Sequence, residues 1–209
     1  GNDFAKYWGL NSDDYKMAVD VIINRRLRKV DVGIFSYFDG EKHVSRYFLN
    51  AVYIGLGARI VRITNETRRF WGIPLLSYLA SLFLVAFERK MHRMHLKVNG
   101  EHIRGRLMAV AVGSAKGFGL TPSAVPYNGW LDVSLIYRPE LRQLVPGLWM
   151  LQQGRLLNHK NVKPYRTREV KILRAQNAEI SLDGRVLFDK HFPIDITVAQ
   201  EALTLIIPD

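Results

Sequence analysis

The chain has 209 residues, 48% of them hydrophobic and 23% charged, with 30 Lys and Arg against 19 Asp and Glu for a formal charge of +11. That length can bury a sizeable core and that composition excludes a disordered or collagen-like chain, while the absence of cysteine excludes disulfides, thiolate zinc sites and thiol nucleophiles together. The basic balance favours anionic partners: nucleic acid, phospholipid headgroups or phosphate-bearing ligands.

Residues 12–29 read as a helix, with Ser12 as N-cap, Asp13 and Asp14 in the first turn and a basic C-terminal end. Tyr15, Ala18, Val19, Ile22 and Ile23 give it an apolar face. Residues 30–35 read as a strand, Asp39-Gly40 as a turn and residues 43–53 as a second strand. Residues 70–87 are 18 in a row without a charge, between Arg68-Arg69 and Glu88-Arg89-Lys90. A buried helix starting near Pro74 fits this stretch: about 16 residues at ~1.5 Å each give roughly 24 Å, short of the ~30 Å hydrocarbon core of a bilayer.

Residues 94–98, the turn Asn99-Gly100 and residues 101–112 read as a hairpin. Residues 113–119 form a glycine-bearing loop, 131–137 a strand, and 139–153 a helix bent at Pro146. Five strands close the chain, at 169–173, 178–182, 185–188, 194–198 and 203–207. The expected class is mainly β (α+β), an antiparallel β-sandwich-like domain with about three helices, rather than a doubly wound parallel sheet. Basic clusters at 25–29, 68–69, 89–90 and 163–168 are scattered, as solvated helix ends and loops are.

The sequence carries no zinc-protease helix, Walker loop or dinucleotide fingerprint. His92, His95 and His102 lack a positioned carboxylate, so they give only a weak metal signal. The 113–119 loop either offers backbone amides to a phosphate or simply joins two strands. Asp39-Gly40, Asn99-Gly100, Asn128-Gly129 and Asp183-Gly184 read as hairpin turns that need positive φ. By itself Asp183 is turn chemistry.

The order of these pieces resembles the diacylglycerol kinase and sphingosine kinase superfamily, especially its bacterial soluble lipid kinases. The resemblance rests on Asn2-Asp3-Phe4-Ala5-Lys6, then Val30 to Gly33, then Phe48, Asn50, Gly55 and Ala58. Pro122, Ala124, Asn128-Gly129 and Leu131-Asp132-Val133 follow, then Asp183-Gly184-Arg185 and the closing Ala202-Leu203 to Pro208. It covers essentially the whole chain in the right order. It implies a single C-terminal β-rich domain over 1–209, cut from a two-domain protein whose N-terminal α/β nucleotide-binding domain is lacking, with residues 1–10 at the edge of the interdomain nucleotide site.

The implied activity is transfer of the γ-phosphate of ATP to a lipid hydroxyl. Asp183 would be the catalytic base, and Asn2 and Asp3 would face ATP and Mg²⁺, both bound largely by the other domain. The implied partners are a lipid substrate and an anionic membrane surface, with the apolar segment after Pro74 as the membrane-facing element. The implied location is cytoplasmic, peripheral to the inner face of the membrane. Exposed sheet edges suit a homodimer. Nucleic acid is not an expected partner, since no aromatic-and-basic recognition motif is present; net charge alone motivates that rival reading.

Four departures stand out. Arg185 replaces the glutamate of the family's D-G-E. Asn128 replaces an aspartate that holds a metal in some relatives, Gly57 replaces another aspartate, and the family's N-G…G-G-G loop is Val112-Gly113…Gly117-Phe118-Gly119 here. They open a second reading, a degenerate lipid-binding protein without catalysis.

Overall fold

The computed structural model describes residues 3–10, 13–71, 88–116, 119–188 and 191–208, with the backbone alone at 67–71. Short helices α1 (Asp3–Tyr7) and α2 (Tyr15–Asn24) precede the sheets. Sheet A holds, in spatial order, β2 (His43–Phe48), β1 (Leu27–Phe38), β12 (Ile194–Ile206), β9 (Glu169–Ala175), β4 (His92–Val98) and β5 (Glu101–Leu107). Sheet B holds β11 (Arg185–Leu187), β10 (Ile180–Leu182), β3 (Ala51–Gly55), β6 (Ala109–Gly113), β7 (Leu131–Ile136) and β8 (Val162–Thr167). The assigned pairs are antiparallel, and the expected sandwich class holds.

Alternation along the strands builds the layers. In β4, Met94, Leu96 and Val98 turn inward while Arg93, His95 and Lys97 turn out. Sheet B is covered on both faces. Val110 and Val112 of β6 enter the core between the sheets, while Ala109 and Ala111 face a second cluster under α3 (Leu56–Trp71) and α4 (Leu141–Gln152). A strand covered on both sides reads as a continuous apolar run, as β6 does.

Several expectations about elements need correction. The helix expected at 12–29 is α2, Tyr15–Asn24: Asp14 caps it by accepting the Met17 N–H at 3.0 Å, and Arg25 ends it at φ 50°. The basic run beyond enters β1, whose Leu27–Val30 pair with Leu203–Ile206. The apolar face of α2 is exposed at Tyr15, Val19, Ile22 and Ile23. Residues 43–53 form two strands in different sheets, and 101–112 likewise break at Met108 between β5 and β6. Residues 194–206 are one bent strand, with Glu201 at φ 50°. Helix α3 and the basic edge strand β8 had no sequence signal read for them. The Ser12 cap and the helix after Pro74 lie outside the described residues.

Asp31 fixes the join between β1 and the 126–129 loop. It is 1% exposed and sits at a bulge in β1. Its carboxylate accepts the Gly129 N–H at 2.6 Å and the Glu201 N–H at 3.0 Å, and its own N–H donates to Pro126 O at 2.7 Å.

His92 starts β4, buried, with Nδ1 3.2 Å from Gln176 O. Burial holds its pKa below the usual 6.5, against the opposing pull of that hydrogen bond. The unfolded chain therefore binds the proton more readily, and stability falls as pH drops below 6.5 toward the lowered folded value. Urea unfolding between about pH 7 and pH 5 should show this decline, and His92→Gln should reduce the slope. An unchanged slope would place the titration elsewhere.

Candidate functional site

The β10–β11 hairpin turns through Asp183 (φ 45°) and Gly184 (φ 81°), the two-residue turn with both φ positive. The Asp183 carboxylate reaches across to the point where the chain leaves sheet A for sheet B. It accepts the N–H groups of Leu49 at 2.7 Å, Asn50 at 2.9 Å and Ala51 at 3.0 Å, and the Asp183 N–H donates to Ala51 O at 3.0 Å. An ionised carboxylate has about four lone-pair positions, so about one stays free to take a proton. From α3, the Asn65 amide donates to Gly184 O at 3.0 Å. Asn50 O in turn accepts the N–H groups of Ser114 (2.9 Å) and Ala115 (3.1 Å). These two amides of the 113–119 loop are thus engaged within the protein. Asn50 Oδ1 and Ser114 Oγ are buried without a hydrogen-bond partner among the described residues. Arg185, exposed, opens β11.

The other end of α3 lines an apolar cleft. Leu56, Gly57 and Ile60 form one wall, Leu144, Gly147, Leu148 and Leu151 of α4 another, and Tyr53, Met108 and Leu120 its floor. Its cavity volume is about 80 Å³. A Cβ at Gly57 would lie 3.0 Å from both Leu120 Cδ1 and Tyr53 Cβ, so the missing aspartate side chain leaves its place to apolar packing. Gly57 and Asn65 are eight residues apart, about 12 Å along the helix axis. One rigid helix therefore links the cleft to the Asp183 turn.

Asp3 begins α1, which packs beside the 126–129 loop. The Trp8 ring lies 5.8 Å from Tyr127, and the Arg28 guanidinium 4.1 Å over the same ring. Burial, and then the hydrogen bond to Tyr127, push the Tyr7 phenol up to about 12. Asn128 is spent on its own turn, accepting the Trp130 N–H at 2.9 Å, while Asp31 holds Gly129. Hydrogen bonds therefore fix this loop. Asp132 pairs with Arg166 at 2.8 Å and accepts from Ser123 at 2.6 Å. The three histidines divide. His95 and His102 face each other at 3.0 Å beside Arg104, whereas His92 points inward to Gln176. Asn2 lies outside the described residues.

Asn65, the 49–51 amides and the α4 wall had escaped the sequence reading. The amphipathic spacing of 141–152 carried the signal for the wall, and no local pattern carried the others.

A two-sheet sandwich with helices over one outer face, an apolar cleft beneath them and an Asp-Gly turn held by the covering helix defines a β-sandwich-like domain. Residues 50–207 match the model of the YegS C-terminal NAD kinase beta sandwich-like domain, and the chain belongs to that family. It is 28% identical to the "Probable lipid kinase YegS-like" of Pseudomonas savastanoi pv. phaseolicola, over 100% of this chain and 70% of that protein. It is 24% identical to the diacylglycerol kinase of Bacillus subtilis, over 88% of this chain and 59% of that protein. Its fold is shared with a diacylglycerol kinase structure from Bacillus anthracis at a TM-score of 0.62 and 16% identity, over 99% of this chain and 63% of the other. The chain thus spans less than two thirds of the length of two of these three. Among the described residues no helix is long and apolar enough to cross a membrane.

Proposed function

We propose that this chain is the C-terminal, lipid-binding domain of an ATP-dependent lipid kinase, one domain over 1–209 that acts on diacylglycerol or a similar lipid alcohol. The observation that carries the reading is the join made by α3, with an apolar cleft at one end and the Asp183 turn at the other. The apolar lining of the cleft suits an acyl chain. A lipid hydroxyl near the turn would meet the free lone pair of Asp183. Asp183 takes the hydroxyl proton as that oxygen bonds to the γ-phosphorus and the bond to ADP breaks.

ATP and Mg²⁺ would supply the phosphoryl group and neutralise its charge. Asp3 fits as one oxygen donor toward Mg²⁺, which takes few carboxylates and completes its shell with phosphate and water; Asn2 would accompany it. The kinase would work at the inner face of the membrane, peripherally bound, and an exposed edge such as β5 would serve a homodimer.

The test is phosphate transfer from labelled ATP by the complete two-domain protein, on mixed micelles holding a panel of lipid alcohols. Transfer to a long-chain acceptor is expected. Gly147→Leu should raise the KM for that acceptor about tenfold and spare a short-chain one. A Cβ there meets only His159, at 3.5 Å or beyond, and leucine favours the helix by ~0.5–1 kcal/mol over glycine. An equal effect on both acceptors would remove the cleft from substrate binding. No transfer to any lipid by the folded, ATP-bound protein would favour the degenerate lipid-binding reading, for which the exposed Arg185 in place of a carboxylate is the specific support.

A further inference from the structure

Helix α4 has two apolar sides. One side, with Leu144, Leu148 and Leu151, walls the cleft. On the other, Leu141, Val145 and Trp149 are 59%, 65% and 62% exposed. Their i, i+4, i+8 spacing puts them in one stripe along the helix. A stripe of this kind on a helix that already has its buried face satisfied is unexplained by packing. Cations stand beyond both ends of it. Arg138 precedes the helix, Arg142 lies in its first turn, and Arg155 and Lys160 follow its end, all exposed. The acidic residue among them is Glu140, which pairs with Arg142 at 2.6 Å.

We propose that the outer stripe of α4 is the membrane-docking surface of this protein. It seats Leu141, Val145 and Trp149 among the headgroups of an anionic bilayer, with the flanking arginines and Lys160 on the phosphates. An interfacial helix has this make-up: an apolar stripe, an aromatic side chain, and cations in reach of anionic lipid. Charge complementarity and continuity with the cleft select the occupant. The helix is a single layer, about 10 Å across, between the docked bilayer and an apolar cavity of acyl-chain character. This surface is distinct from the outer face of sheet A, where Arg93, Lys97, Arg104 and Arg106 project without an apolar stripe. It is distinct too from the exposed face of α2. The proposal rests on the lipid reading of the cleft, but its test needs no ATP and no catalysis, so either idea can fail alone.

The experiment is binding of the 209-residue chain to vesicles of phosphatidylcholine with about a third phosphatidylglycerol, unlabelled or carrying dibrominated acyl chains. Wild type is expected to bind and to lose tryptophan emission to the brominated chains, and Trp149→Phe to bind with most of that quenching gone. Val145→Gln with Trp149→Gln, which changes no charge, is expected to weaken binding at least tenfold, while Val19→Gln on α2 leaves it within twofold. Four results would overturn the proposal. One is no vesicle binding by wild type. A second is binding unaffected by the double substitution and unquenched, as adsorption through the basic sheet face would be. The third is loss on Val19→Gln instead. Circular dichroism checks that the double variant is folded. Should it not be, the Trp149→Phe quenching comparison decides. Sedimentation showing that the stripe pairs two copies of the chain, with no bilayer contact, would also overturn it.

Discussion

Asp183→Asn in the complete protein is expected to lower phosphate transfer at least a hundredfold, the scale of losing a general base. In this chain it is also expected to cost about 2 kcal/mol of stability, the scale of one hydrogen bond to a charged acceptor. Both follow from the same three contacts. The carboxamide oxygen can still accept from Asn50 and Ala51, but its NH₂ group would face the Leu49 N–H, which now donates to a carboxylate oxygen at 2.7 Å. A simple loss of activity would therefore not separate a proton acceptor from a pin that holds residues 49–51. The pH profile does. Removing the base removes the acidic limb of kcat/KM, whereas loosening the pin lowers the whole curve. Asn65→Ala is the companion variant, since it frees the turn at Gly184 O without touching the carboxylate. If Asn65→Ala reproduces the Asp183→Asn loss and the limb persists in both, Asp183 is scaffold and the base must be sought elsewhere.

Gly55→Ala is expected to destabilise the domain by about 3 kcal/mol. Gly55 closes β3 and delivers the chain into α3 at φ +81°, where a side chain costs ~1–2 kcal/mol. A Cβ there would also stand 2.6 Å from Met108 O and 3.2 Å from the His92 ring. Met108 O is not free to retreat: it accepts the Leu56 N–H at 3.0 Å, and the Gly55 N–H is itself held by Glu179 O at 2.8 Å. Overpacking of this kind adds ~1–3 kcal/mol. Gly105→Ala in β5 is the control, since nothing lies within 4 Å of its Cβ position, and it should be neutral or slightly stabilising. Equilibrium urea unfolding of both variants reads the difference. A loss below 1 kcal/mol for Gly55→Ala would mean that α3 can shift on β3, and the fixed spacing between cleft and Asp183 turn would go with it.

Particular residues show how far sequence alone reaches here. The alternation of Met94, Leu96 and Val98 against Arg93, His95 and Lys97, the Asn99-Gly100 turn and the run of late strands were enough for an antiparallel sandwich. So was the ordered set of short motifs for the family and for Asp183 as the residue to ask about. Alternation says which face of a strand is buried, not which sheet it joins, and so residues 43–53 and 101–112 each looked like one strand. In the folded protein both change sheets, at 49–50 and at Met108. The first crossing is held by a carboxylate more than 130 positions along the chain, a pairing no local window contains. Helix propensity likewise left α3 unannounced. Its residues are mixed, and what settles it is docking on the small outer face of sheet B made by Ala51, Ala109 and Ala111. Composition and period thus determined the class of fold and its turns, and the ordered motifs carried the family resemblance. Long-range hydrogen bonding and the packing of helices on an already built sheet decided where Asp183 reaches and that a cleft exists at the other end of α3.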